Sequence, residues 1–236
     1  MLPKKEFLRS CDVLTELTDE EFDRFWELSK NEFIYGKLKR GQYLYKNDTE
    51  GRIHFIASGI LVNGFFDING TEFPAFFLPE GAALGVADYI LTDGKSNEDV
   101  LGHVPKAYKS VTYYAIPAHV FHEITKEIPN LYRSAAKYCA SCYMDMINMN
   151  GILRGASVKK RIANYFVLRE HKTKYTILPN FMMGECSVSV LADMIGMGRS
   201  TVSREIHSME RMGLISIADG EIIVNDLEAL KAYADE

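Results

Sequence analysis

From residue 130 to 154 the chain carries an apolar pattern that only a long helix can use. Tyr132, Ala135, Cys139, Cys142, Met146, Met149 and Leu153 follow one another at alternating steps of three and four. On a helix this is one continuous seam, held for about three heptads. A solitary surface helix has no need of a seam that long. The pattern therefore predicts two copies of the helix side by side, in a parallel homodimer. The other use for it is a broad core-facing stripe within one chain.

The residues on either side of the seam are of different kinds. Nine of the 17 glycines lie between Gly41 and Gly102, and nine of the ten methionines follow residue 143. Strands and turns are expected in the first region and helices in the later one. Thr18-Asp19-Glu20-Glu21 starts a short amphipathic helix over 18–30, with a capping hydroxyl and acids in its first turn. Between Gly41 and Ala115 come short aromatic and β-branched runs, such as Ile53 to Ile56, Ile60 to Val62 and Phe73 to Leu78. Turn signals part them, and Asn69-Gly70 suits the positive φ of a tight hairpin. Many short strands at even spacing predict a β-sandwich or β-roll. Ile116-Pro117-Ala118 opens one helix, and Pro129 opens the long one.

Beyond the seam, Asn150-Gly151 and Gly155 read as a hinge, since each glycine weakens a helix by roughly 1 kcal/mol. Ser157 caps a further helix over 158–170. Residues 186–213 are the most specific stretch. Ser187 caps a helix with Val190, Leu191, Met194 and Ile195 at helical spacing. Ala192 leaves room for a crossing helix, Gly196 suits a left-handed turn, and Met197 fills the turn. A second helix starts near Arg199, with Val202, Ile206 and Met209 facing inward. This is a helix-turn-helix. Its second helix presents Arg199, Ser200, Thr201, Ser203 and Arg204, guanidinium forks for guanine edges and hydroxyls for phosphates or bases. Leu214 to Ile217, Asp219-Gly220 and Glu221 to Val224 form a small hairpin beside it, a wing.

The net charge of −5 over 236 residues argues at first against nucleic acid. Its distribution removes the objection. Residues 1–150 hold 16 basic and 21 acidic groups, and residues 151–236 hold 11 of each. Within 154–174 seven basic residues, Lys159 and Lys160 among them, stand against Glu170 alone. Lys159, Lys160 and Arg161 are expected near the DNA backbone. Four cysteines in this length make no disulfide scaffold. No apolar leader follows Met1, and the longest uncharged run, Ile53 to Phe66, is too short for a bilayer. The expectation is a cytoplasmic protein with no membrane contact.

The order and spacing of these motifs resemble the Crp/Fnr (catabolite activator and fumarate-nitrate regulator) superfamily of bacterial transcription factors. The roll matches through Gly41, Gly59, Asn69-Gly70, Glu80-Gly81 and Gly85. The long helix runs from Pro129 into the Ser157 to Ile162 cap, and the winged motif matches at Thr201 to Arg204 and Gly213 to Ile215. Glu205 departs from the pattern, standing where such helices bury an aliphatic. The resemblance implies an α+β fold in three parts: a double-stranded β-helix (a cyclic-nucleotide-binding-like β-roll, 1–128), a dimerisation helix (129–154) and a winged helix-turn-helix (155–236). It implies no enzyme. It implies an allosteric homodimer that answers a signal and binds a palindrome in double-stranded DNA, an activator with RNA polymerase as a further partner.

The same resemblance argues against cyclic AMP as the signal. Family members that bind it have an acidic residue where this chain has Val86, an Arg-Ser pair where it has Leu101-Gly102, and hydroxyls where it has Met146 and Ile147. A phosphate that loses its guanidinium fork and meets apolar surface costs several kcal/mol. The pocket expected instead is apolar and aromatic: Val86, Tyr89, Tyr108, Tyr138, Tyr143, Met146 and Ile147, with Lys106 to pair an acidic group on a small-molecule effector. The alternative is that these residues fill the core of the roll. No metal or cofactor is expected. Cys11 is the only cysteine near the start, too few for an iron–sulfur cluster, and His54, His103, His119 and His122 do not cluster. Two other readings stay open: a thiol redox regulator using Cys139 and Cys142, and a cupin-like β-roll enzyme.

Overall fold

The structure is a computed structural model that describes residues 2–44, 51–66, 68–70, 72–93, 104–153, 157–170, 187–218 and 221–235. The chain divides into two compact units, residues 1–141 and 142–236, with the division inside one long helix.

The first unit begins with α1 (Lys5–Arg9), a short 3-10 turn (Asp12–Leu14) and α2 (Asp19–Ser29). α2 starts where the sequence predicts. The Thr18 hydroxyl accepts from the Glu21 N–H, and the Glu21 carboxylate accepts from the Thr18 N–H. Among the described residues seven strands follow: β1 (Ile34–Leu38), β2 (Arg52–Ser58), β3 (Leu61–Phe66), β4 (Glu72–Leu78), β5 (Ala83–Leu84), β6 (Val104–Ala107) and β7 (Val111–Pro117). They form two antiparallel sheets, in the orders β1-β7-β2-β5 and β4-β3-β6. Leu38, Ile56, Leu84 and Val111 from the first sheet and Leu61, Leu78 and Ala107 from the second share one core cluster. This is a roll closed by packing its sheets' apolar faces together.

Two glycines of the roll are required by geometry. Gly59 has φ +83° and Gly85 has φ +89°. A Cβ at Gly59 would lie 2.0 Å from the Ser110 carbonyl oxygen, and one at Gly85 would lie 2.3 Å from that of Arg52. No side chain fits either place. Gly85 leads into α3 (Val86–Thr92), and α4 (Ala118–Glu127) follows β7.

The long helix, α5, runs from Pro129 to Leu153. Proline suits its first position because the missing N–H has no helical partner there. Gly151 lies within the helix, so the expected break does not occur at that residue; Gly155 is outside the described residues. The second unit contains α6 (Val158–Glu170), α7 (Val188–Met194), α8 (Arg199–Arg211), β8 (Ile215–Ala218), β9 (Glu221–Val224) and α9 (Leu227–Asp235). The Ser157 hydroxyl accepts from the Lys160 N–H and so caps α6. Among the described residues no helix is long and apolar enough to cross a membrane.

Candidate DNA-binding face and sensor site

In the second unit α7 and α8 pack as a helix pair around a tight turn. Gly196 takes φ +63°, and the Met197 N–H donates to the Ala192 carbonyl at 3.0 Å. Ala192, Val202, Ile206 and Met209 are buried, as their spacing predicts. Arg161 of α6 clamps the turn: its Nη1 donates to the Ile195 carbonyl at 3.3 Å and lies 3.2 Å from the Met197 sulfur. This gives Arg161 a scaffold role that the sequence did not assign to it.

Arg199, Ser200 and Arg204 are exposed at the start of α8, and Thr201 and Ser203 are half-buried. Arg204 Nε lies 3.4 Å from the Ser200 carbonyl, so this guanidinium rests along its own helix. Lys159 and Lys160 are both half-buried on α6. Lys159 Nζ sits 3.8 Å above the Tyr233 ring of α9. That contact holds a cation that the sequence assigns to phosphate. The wing pairs Ile215 with Val224 and Ala218 with Glu221; its turn, Asp219-Gly220, is outside the described residues.

The residues expected to line an effector pocket fall into a buried and an exposed group. Val86, Tyr89 and Tyr138 are core residues of the first unit. The Tyr138 hydroxyl accepts from the Ala83 N–H at 2.9 Å and donates to the Ala83 carbonyl at 2.8 Å. The Tyr89 hydroxyl lies 3.0 Å from that of Thr125, and its ring packs edge-on against Phe121 at 5.1 Å. Tyr138 thus ties α5 to β5, and Tyr89 ties α3 to α4. Lys106 Nζ donates to the Glu72 carboxylate at 2.6 Å, which also accepts from the Tyr43 hydroxyl at 3.0 Å. The Glu72 bond holds the Lys106 ammonium pKa above its ordinary value. Lys106 is thus already paired with a carboxylate from its own sheet. Tyr108 packs edge-on against Phe77 at 5.4 Å, while Tyr143, Met146 and Ile147 are exposed. Leu101-Gly102 and His103 are outside the described residues. His54 is buried in the roll with its ring 5.3 Å from that of Tyr113, and His119 and His122 lie on α4.

The seam on α5 needs one correction. Ala135 is 0% exposed, so its methyl belongs to the chain's own core and to no partner. Leu131, Ser134, Ala135, Tyr138, Ser141 and Asp145 form the buried face, with the Ser134 hydroxyl donating to the Val13 carbonyl at 2.7 Å. The exposed stripe runs through Ala136, Ala140, Tyr143 and Ile147, one position along from the predicted residues. Tyr132 and Met146 are exposed at its border, and Cys139 and Cys142 are half-buried. The side chains of Met149 and Leu153 are outside the described set. Burial, then the nearby Asp88 charge, pushes the Cys139 thiol up to about 11.

Asp145 belongs to no predicted site. It is 7% exposed, and neither carboxylate oxygen has a hydrogen-bond partner among the described residues. Burial alone raises its pKa to about 6. A charged residue seven positions after Tyr138, on the same helical face, was the available signal. The bond between Tyr233 and Glu205 left no signal, because 28 residues and a β-hairpin separate them.

Residues 160–233 match the family model of the Crp-like helix-turn-helix domain. No curated protein sequence matches the chain. Among solved structures, a Crp/Fnr-family regulator from Eubacterium rectale is 18% identical with a TM-score of 0.59, covering 97% of this chain and 100% of that one. A CooA variant from Carboxydothermus hydrogenoformans is 17% identical with a TM-score of 0.65, over 86% of this chain and 88% of that one. FixK2 from Bradyrhizobium japonicum is 11% identical with a TM-score of 0.64, over 85% and 96%. Residues 160–233 are therefore a Crp-like helix-turn-helix domain, and the chain has the fold of these solved structures.

Proposed function

We propose that this chain is a transcription regulator of the Crp/Fnr type that works as a cytoplasmic homodimer, binds a palindromic DNA site and activates transcription on binding a small molecule other than cyclic AMP. The observation that carries the DNA reading is the start of α8. There Arg199, Ser200 and Arg204 are exposed while Val202, Ile206 and Met209 are buried behind them. Guanidinium groups on that edge suit guanine O6 and N7 in the major groove. Two such helices related by a two-fold axis ask for half-sites about one helical turn apart. Selection of bound duplexes from a random-sequence pool, followed by a gel shift, tests this. A palindromic consensus is expected, and unselective binding would refute it.

The exposed stripe Ala136, Ala140, Tyr143 and Ile147 supports the homodimer, because two small residues followed by two large apolar ones suit close helix pairing. The case against cyclic AMP rests on Val86, whose side chain is buried and offers no carboxylate to a ribose. Tyr143, Met146 and Ile147, all exposed, are the members of the predicted pocket that favour an apolar or aromatic effector. Binding there shifts the α5 pair between two arrangements and so re-aims the DNA-binding units toward promoter DNA and RNA polymerase. A thermal-shift screen with the purified dimer tests the effector. No stabilising compound, combined with full DNA affinity of the untreated protein, would refute it. The thiol alternative is disfavoured by Cys139, since a thiol pushed up to about 11 holds very little thiolate at neutral pH.

A further inference from the structure

α8 must sit at one rotation about its own axis for Arg199, Ser200 and Arg204 to meet base edges together. Its buried residues Val202, Ile206 and Met209 resist translation, but an apolar stripe tolerates small changes of roll. A directional contact on the flank of the helix would remove that freedom. Glu205 supplies one. It follows Arg204 directly and stands one turn after Thr201, and its Oε1 accepts from the Tyr233 hydroxyl of α9 at 2.8 Å. The other side of the same tyrosine is also held, with Lys159 Nζ of α6 3.8 Å above the ring.

α9 is itself fixed. Leu230 is fully buried, α9 packs on α6, and α6 packs on α8. Its first turn is capped by Asp226 Oδ1, which accepts from the Ala229 N–H at 2.9 Å. Just before it, Asn225 Nδ2 donates to the Gly213 carbonyl at 3.2 Å and Asn225 Oδ1 accepts from the Ser216 hydroxyl at 3.0 Å, tying the end of the wing to its start. Tyr233 thus joins α9 to α6 and α8, through a cation above its ring and a carboxylate at its hydroxyl.

We propose that Tyr233 is a positioning residue for sequence recognition: by holding Glu205 it fixes the roll of α8, so that its loss costs discrimination between DNA sequences more than it costs affinity for DNA. The proposal rests on the DNA-binding function above. It also accounts for Glu205, whose carboxylate replaces the aliphatic of the family pattern with a directional bond.

The test uses the full-length protein, the duplex it selects from a random pool, and the same duplex with one half-site base pair changed. The measured quantity is the ratio of the two affinities. Tyr233→Phe keeps the ring and removes the hydroxyl. It is expected to lower the ratio roughly threefold to tenfold, the range of one hydrogen bond's net worth, with a melting temperature lower by a few degrees at most and the salt slope unchanged. Glu205→Ala breaks the same bond from the other side and should lower the ratio similarly, and the double variant should lower it no further. Glu205→Gln keeps an acceptor and should retain most of the ratio. A wild-type ratio in both Tyr233→Phe and Glu205→Ala would overturn the proposal, as would fully additive losses in the double variant. If the wild-type protein selects no duplex, the DNA reading fails and the proposal falls with it. If it selects one and the variants keep the ratio, the proposal alone fails.

Discussion

Asp145 gives the sharpest stability prediction. The carboxyl group is 7% exposed and without a hydrogen-bond partner among the described residues, and burial lifts its pKa from the ordinary aspartate range to about 6. The folded chain therefore keeps this proton to a higher pH than the unfolded chain. Between about pH 4 and 6 the folded state binds more protons, and the free energy of unfolding falls as pH rises. Above about pH 6 the folded state carries the whole cost of a buried charge. Two units at about 1.4 kcal/mol each give roughly 3 kcal/mol, which residual screening by solvent brings to about 2 kcal/mol. Asp145→Asn keeps the size and the polar atoms but cannot ionise. At pH 7.5 it should raise the melting temperature by roughly 4–8 °C for a chain of this length. At pH 4 the two proteins should melt together. The assay is a melting series from pH 4 to 8 on both proteins at one concentration. Parallel curves over that range would refute the reasoning, because they would mean that Asp145 ionises alike in both states.

Other perturbations follow from the same geometry. Arg204→Ala should weaken binding to the selected duplex by about 1–3 kcal/mol and relax preference at one base pair, with dimer mass unchanged; a gel-shift titration with sedimentation checks both. Ala140→Glu sets like charges against each other across the α5 stripe and should yield monomers at micromolar concentration, while a substitution at buried Ala135 should lower melting temperature first. Sedimentation equilibrium separates the two, and an unaltered dimer in Ala140→Glu would remove the stripe from the interface. Gly85→Ala puts a Cβ 2.3 Å from the Arg52 carbonyl at φ +89° and should destabilise the roll by about 1–3 kcal/mol in denaturant melts.

Local features were legible in the sequence to the degree that near neighbours set them. The Thr18 capping box, Pro129 at the start of the long helix, Gly196 in its left-handed turn and the buried trio Val202, Ile206 and Met209 all depend on residues within a few positions of one another. The rotation of α5 was harder. Steps of three and four recur for two adjacent faces, and one residue of offset turns a helix by about 100°. Ala135 and Ala136 are alike in the sequence, and only packing against the roll buries the first and leaves the second exposed.

The candidate sensor residues show the same limit. Tyr89, Tyr138 and Lys106 have the composition of a ligand pocket. Their hydroxyls and ammonium are instead taken up by Thr125, Ala83 and Glu72, which lie 36, 55 and 34 positions away in the chain. Arg161 at the helix-turn-helix and Lys159 against the Tyr233 ring likewise have partners that lie far from them in the chain. The sequence by itself determined the elements, their order and the exposed edge of α8, because periodicity, caps and turns act over one or two helical turns. Tertiary structure alone decided which polar groups remain available, because a buried hydroxyl, carboxylate or cation takes the nearest partner in space.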